Sequence, residues 1–92
     1  MTFTLADCER RVGRTPGEPW PNYAWPGGYV ISYYTDDGES LCGDCMDNEH
    51  EVIHFDEPND GWRIIGADIL EETETDIRCA HCDVLMMEAY TT

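Results

Sequence analysis

The densest run of apolar and aromatic positions lies at residues 29–35, and polar turn residues follow it at once. Because β-branched and aromatic side chains favour extended backbone, this run predicts the strongest strand of the chain. Asp36-Asp37-Gly38 supplies a turn, and residues 39–41 run back as the second strand of a hairpin. A second apolar stretch, Trp62 to Leu70, predicts another strand with a bulge at Gly66.

The helical patterns are short. Thr4 followed by Asp7 predicts a capping box, so a helix is expected to begin after Thr4 and to end at Gly13. Residues 46–55 are predicted to form about three helical turns, and residues 84–90 a short closing helix with Asp83 as its N-cap. Helices and hairpins together indicate an α+β fold.

A segment rich in proline and tryptophan separates the first helix from the first strand. Four prolines within residues 16–26 exclude regular helix or a central strand there. The aromatic residues of this region are Trp20, Tyr23, Trp25 and Tyr29. They form either an exposed docking surface or, as we favour for a small chain, an arm that packs over the core. We divide the chain into this helix and arm, residues 1–28, and a domain of residues 29–92, folding as one unit.

Two cysteine pairs share the same spacing, Cys42-Gly43-Asp44-Cys45 and Cys79-Ala80-His81-Cys82. Two C-x-x-C turns can close a tetrahedron of four thiolates around one Zn²⁺ ion. The predicted metal ligands are Cys42, Cys45, Cys79 and Cys82. Because sulfur then fills every coordination position, we expect the zinc to be structural and assign no catalytic residue. His81 is expected to be exposed or to contact a ligand, with metal binding in place of a cysteine as the lesser alternative.

Iron remains open as an alternative, because the same four sulfurs would bind it in a rubredoxin-like electron carrier. Rubredoxins favour proline after the first cysteine of a pair and glycine after the second. The corresponding residues here are Gly43 and Ala80, then Met46 and Asp83. This departure favours zinc. A thioredoxin-type dithiol is disfavoured, because the chain has two such motifs and no room for two such folds.

Residues 50–54, His-Glu-Val-Ile-His, match the H-E-x-x-H pattern. On a helix, His50 and His54 would lie on one face and share a zinc ion, while Glu51 polarised a water molecule. The SprT-like peptidases resemble this combination of motifs, but their peptidase helix precedes both cysteine pairs. A small zinc peptidase is therefore the alternative function. We favour a solvated acidic segment whose apolar residues touch the core.

The chain carries 20 acidic residues against five arginines and no lysine, for a net charge of −15. Residues 1–35 are neutral overall, so residues 36–92 carry the whole excess. Such a surface repels phosphate groups, and direct binding of nucleic acid is not expected. Two explanations stay open: the acids imitate the charge of nucleic acid and bind a basic protein, or they are an adaptation to high salt.

Five cysteines, with Cys8 outside the pairs, favour a reducing compartment over a disulfide scaffold. Residues 1–14 carry charges and lack the apolar centre of a signal peptide. No apolar stretch reaches membrane-spanning length. We therefore expect a cytoplasmic protein that does not bind a membrane.

Residues 33–45 with their hairpin and first cysteine pair, then residues 65–68 and 79–82, resemble small four-cysteine zinc-ribbon proteins of phages, actinobacteria and haloarchaea. The resemblance covers residues 29–90 and implies a zinc site in an intracellular protein, including one in the host cell of a virus. Such proteins mostly lack an assigned activity. We expect a non-enzymatic, zinc-stabilised acidic module that binds a basic protein, with a nucleic-acid-handling protein as the candidate partner.

Overall fold

The computed structural model describes residues 3–24, 28–71, 73 and 75–88. Within these ranges the chain is α+β, with two short helices, a four-stranded antiparallel sheet and a two-stranded sheet. The helices are α1 (Leu5–Val12) and α2 (Gly43–Asn48). The strands are β1 (Tyr23–Ala24), β2 (Tyr29–Thr35), β3 (Ser40–Leu41), β4 (Ile64–Leu70), β5 (Ile77–Arg78) and β6 (Leu85–Met87).

Strand β2 organises the larger sheet, because β1, β3 and β4 all pair with it in antiparallel fashion. The predicted β2–β3 hairpin is confirmed, with Tyr33 opposite Leu41. The predicted irregularity near Gly66 is confirmed as well. Tyr34 faces Gly66 while Thr35 faces Ile64, so β4 contains one extra residue at that point.

The core forms where α1, α2 and the proline-rich arm meet the sheet. Its largest fully buried side chains are Tyr33, Ile31, Met46 and Ile64. Trp20 of the arm is 7 % exposed, and its ring meets Tyr33 edge-to-face at 5.6 Å. The packing interpretation of the arm is therefore confirmed for Trp20. Tyr23 and Tyr29 are exposed instead, and Trp25 lies outside the described residues.

Helix α1 has the termini that its sequence predicts. The Thr4 hydroxyl accepts a hydrogen bond from the Asp7 N–H, and the Asp7 carboxylate accepts one from the Thr4 N–H. Gly13 ends the helix in the left-handed conformation, with φ at 77°. Both signals are local, and both are confirmed.

The other two predicted helices do not form as expected. Helix α2 begins at Gly43, between the two cysteines of the first pair, and ends at Asn48, so residues 46–48 of the predicted 46–55 helix are helical and residues 49–55 are not. Residues 85–87 form β6, not the middle of a helix over 84–90, whose last two residues lie outside the described part. Asp83, at a φ of 62°, reverses the chain so that β6 pairs with β5. A short apolar run is compatible with a helix or a strand, and here its pairing with β5 makes it a strand.

The two cysteine pairs follow strands of two different sheets. Strand β3 enters the first pair from the larger sheet. Strand β5 enters the second pair but bonds with β6, while β4 bonds with β2. Residues 77–88 therefore form a separate β5–β6 lobe. The domain boundary at residue 28 stays a prediction. None of the described helices has the length and apolar content needed to cross a membrane.

The loop that precedes β4 closes through His54. The backbone N–H of His54 donates to the carbonyl of Trp62 at 3.2 Å, and the His54 carbonyl accepts from the Ile64 N–H at 2.8 Å. The His54 ring places Nε2 at 2.8 Å from Oδ1 of Asp60. This hydrogen bond raises the pKa of His54 above its ordinary 6.5 and lowers that of Asp60 below 3.8.

We predict that His54 makes folding stability depend on pH near neutrality. Since its pKa is raised in the folded state, its stabilisation is complete below pH 6.5 and is lost as the pH rises through the raised value. Chemical denaturation should therefore show that His54→Gln destabilises the protein more at about pH 6 than at about pH 8.5. His50→Gln is the matched control. An equal effect of His54→Gln at both pH values would contradict the prediction.

Candidate metal centre

The first cysteine pair is formed by the junction of β3 and α2. Cys42 follows β3 directly and occupies the N-cap position of α2, and Cys45 lies in the first turn of that helix. The Cys42 side chain makes no capping hydrogen bond. Asn22 supplies the acceptor instead, because its Oδ1 lies 2.7 Å from the Gly43 nitrogen and 3.3 Å from that of Asp44.

The second pair is formed by the turn between β5 and β6. Cys79 follows β5; its N–H donates to the carbonyl of Val84 at 3.0 Å, and its carbonyl accepts from the Asp83 N–H at 2.9 Å. The Ala80 N–H donates to the carbonyl of Ser40 at 2.8 Å, which joins this turn to β3. The lobe therefore docks next to the residue that precedes the first pair.

These two turns bring the four predicted metal ligands together. The sulfur atoms of Cys42, Cys45, Cys79 and Cys82 all lie within 4.8 Å of one another, and none of the four forms a disulfide. The Sγ–Sγ distance is 3.8 Å for Cys42 and Cys82, and 3.5 Å for Cys45 and Cys79. A tetrahedral zinc site with bonds of about 2.3 Å places its sulfurs about 3.8 Å apart. The cluster is consistent with one bound metal ion.

Burial and hydrogen bonding act on these thiols in opposite directions. Burial raises the pKa of Cys42 and of Cys45, because a thiolate loses hydration inside the protein. Burial also raises the pKa of Cys79, but backbone N–H groups of Cys82, Cys42 and His81 outweigh it and lower that pKa to about 6. The backbone N–H groups therefore stabilise a thiolate at Cys79. A bound cation would favour the thiolate form of the other three cysteines.

His81 lies beside the cluster and is not part of it. Its Nε2 lies 3.0 Å from Oε1 of Glu49, just beyond the end of α2, and its ring meets Trp62 edge-to-face at 5.6 Å. His81 thus links the second cysteine turn to residues outside the lobe.

The H-E-x-x-H segment does not form the helical site that the motif predicts. Helix α2 ends at Asn48, so His50 and His54 are not one turn apart on a helix. The His50 ring lies 2.9 Å from the Asp47 carbonyl, and the His54 ring contacts Asp60. In the described part of the chain, the four cysteines are the one group of three or more potential ligands close enough to share a metal ion.

Sequence reasoning missed the contribution of the arm to this centre. The carbonyl oxygens of Trp20 and Pro21 lie so close to Gly43 that a Cβ there would come within 2.5 Å and 2.6 Å of them. With Asn22, the arm therefore supports the first cysteine turn through its backbone and one amide side chain. The arm stands 21 residues away from the turn it supports, so no local sequence pattern indicates the contact.

We predict that Gly43→Ala destabilises the metal-loaded protein by about 1–3 kcal/mol, because the added methyl overlaps backbone that cannot rotate away. Gly66→Ala is the matched control, since its Cβ would meet Tyr34 at 3.8 Å, an ordinary contact. Chemical denaturation of both variants measures the difference. Equal free energies of unfolding for the two variants would show that the arm does not press on the cysteine turn.

Comparison with known proteins adds no relative. No protein-family model matches the chain, and neither the search of curated proteins nor that of solved structures finds a match. Assignment of the centre therefore depends on the geometry of its own residues.

Proposed function

We propose that the protein is a zinc-ribbon-like module with one structural Zn²⁺ ion bound by Cys42, Cys45, Cys79 and Cys82. The observation that carries this proposal is the convergence of four sulfur atoms, none of them in a disulfide, to within 4.8 Å of one another. Four thiolates close the coordination sphere and leave no position for a substrate, as in structural zinc sites. The proposed role of the metal is therefore to hold the fold together.

Burial in the β5–β6 lobe supports a structural role. Among residues 77–88, Cys79 is the one buried residue. A lobe with so little apolar burial gains little stability from a core of its own. A metal ion that joins Cys79 and Cys82 to the first cysteine pair would supply the missing free energy, because metal binding and folding are coupled in such sites.

Zinc is proposed over iron because the residues beside the cysteines depart from the rubredoxin pattern at Gly43, Ala80, Met46 and Asp83. A rubredoxin-like iron centre is the competing assignment, since its ligands would be the same. The small zinc-ribbon proteins of phages, actinobacteria and haloarchaea remain the proposed relatives.

The acidic surface supports a basic protein as the partner, with a nucleic-acid-handling protein as the candidate. The net charge of −15 resides in residues 36–92, which contain two arginines. Arg63 donates to the Asn59 side chain and Arg78 to the Asp83 carbonyl, so neither guanidinium neutralises a carboxylate through these contacts. A surface of one sign accelerates association with an oppositely charged partner and disfavours acidic ones.

We predict that metal-loaded protein on a resin captures lysate proteins that are more basic than the lysate as a whole. Their recovery should fall at high salt, because screening weakens interactions between exposed charges. It should fall also for a variant in which four exposed acids become glutamine. These acids are Glu39, Glu57, Glu71 and Glu88.

The control for that experiment is a variant with four neutral exposed residues changed, which keeps the charge. Its substitutions are Thr15→Ser, Asn48→Gln, Val52→Thr and Thr75→Ser. It should capture the same proteins as the unmodified chain. Captured proteins no more basic than the lysate would contradict the proposed partner class. Capture that persists at high salt and in the glutamine variant would show that charge is not the determinant.

A further inference from the structure

An apolar groove lies between the larger sheet and the β5–β6 lobe. Its volume is about 120 Å³, and its apolar walls come from Tyr23 on β1, Val30 on β2, and Val84 and Leu85 on the lobe. Cys42 also lines the groove, so the groove adjoins the proposed metal centre. One wall of the groove belongs to the larger sheet and the other to the lobe, so the position of the lobe determines whether the groove forms.

Three exposed apolar side chains lie together at this groove. In the described part of the chain, eight large apolar residues are exposed, and three of them line it. These are Tyr23 at 62 %, Val84 at 48 % and Leu85 at 37 % exposure. Single exposed apolar residues are ordinary, but a concave group of them is typical of a binding site. Tyrosine is also among the residues that contribute most at protein interfaces.

The backbone around the groove favours an extended occupant. Strand β1 pairs with β2, and β6 pairs with β5, and no other strand within the described residues pairs with either. Each strand thus has an edge without a strand partner among the described residues, and residues of both strands line the groove. An extended segment can hydrogen-bond such an edge while it inserts alternate side chains into a pocket.

Charge selects among possible occupants. Asp44 is the charged residue of the lining, Asp83 and Glu88 flank β6, and Arg78 is the nearby cation, bonded to the Asp83 carbonyl. A second copy of the chain would bring another −15 and would be repelled. The complementary occupant is an apolar side chain with basic residues on either side.

We propose that this groove binds an extended segment of a partner protein, with one apolar side chain inserted between Tyr23 and Leu85 and with arginine or lysine residues beside it. The proposal depends on the proposed function for the basic character of the partner. It adds an apolar determinant that the acidic surface alone does not provide.

Three peptides test the proposal by calorimetric titration of the metal-loaded full chain. The first is Arg-Thr-Leu-Thr-Arg with blocked ends. The second carries serine in place of leucine, and the third carries glutamate in place of both arginines. We expect the first to bind roughly tenfold more tightly than the second, because leucine loses its contact with water in the groove. We expect the third to bind more weakly than the first.

Matched variants locate the binding site. In the groove variant Tyr23→Ser and Val84→Ser are combined, and in the control variant Tyr29→Ser and Val52→Ser. The control residues are of the same types, are each 44 % exposed and lie outside the groove. The groove variant should bind the leucine peptide roughly tenfold more weakly. The control variant should bind it as the unmodified chain does. The single variant Tyr23→Ser tests the site if the double variant fails to fold.

The outcomes separate the two proposals. Equal binding of the leucine and serine peptides would overturn the groove while leaving the basic partner in place. Equal binding of the arginine and glutamate peptides would overturn the basic partner, and with it the charge selection at the groove. Equal losses of affinity in the groove and control variants would place the peptide outside the groove and overturn the proposal. Failure of all three peptides to bind would also overturn it.

Discussion

The approach of four sulfur atoms to within 4.8 Å of one another constrains the rest of the structure. Thiolates at this spacing repel each other, and only a bound cation or protonation removes that repulsion. Protonated thiols would bring few attractive contacts to a lobe in which Cys79 is the one buried residue. Coordination of a metal ion would explain both the spacing of the sulfurs and the position of the lobe.

Local signals in the sequence were sufficient for the elements that depend on neighbouring residues. The capping box and Gly13 define α1, and the apolar run with its Asp-Asp-Gly turn defines the β2–β3 hairpin. The cysteine spacing likewise led to the four sulfurs that the fold brings together. In each case the residues that determine the element lie within a few positions of it. The exception is the approach of the two cysteine pairs to each other, which depends on the fold.

Elements that depend on distant contacts were not predictable in this way. Residues 85–87 become a strand because β5 pairs with them. Helix α2 ends at Asn48, and the backbone of His54 then hydrogen-bonds with Trp62 and Ile64, which are distant in sequence. The same reason explains why Asn22 was missed, since its contact with the first cysteine turn is visible only in three dimensions. The H-E-x-x-H pattern failed because its chemistry requires a helix that the fold does not provide.

Both proposed properties, metal binding and partner binding, depend on the position of the β5–β6 lobe. Cys42, Val84 and Leu85 line the apolar groove, so a metal ion that joined the lobe to the sheet would also shape the groove. The neutral N-terminal third supports the first cysteine turn through the arm, while the acidic remainder supplies the charge toward a partner. Metal, groove and acidic surface would then act as one binding module.

Metal content per chain tests the central claim most directly. Elemental analysis combined with native mass spectrometry should find one zinc ion in the unmodified chain and in Cys8→Ser, whose cysteine lies outside the cluster. Cys79→Ser should lose that ion. A protein that carries no metal, or whose paired cysteines are joined as disulfides, would contradict the account. A red protein with one iron ion would keep the four ligands but reject zinc.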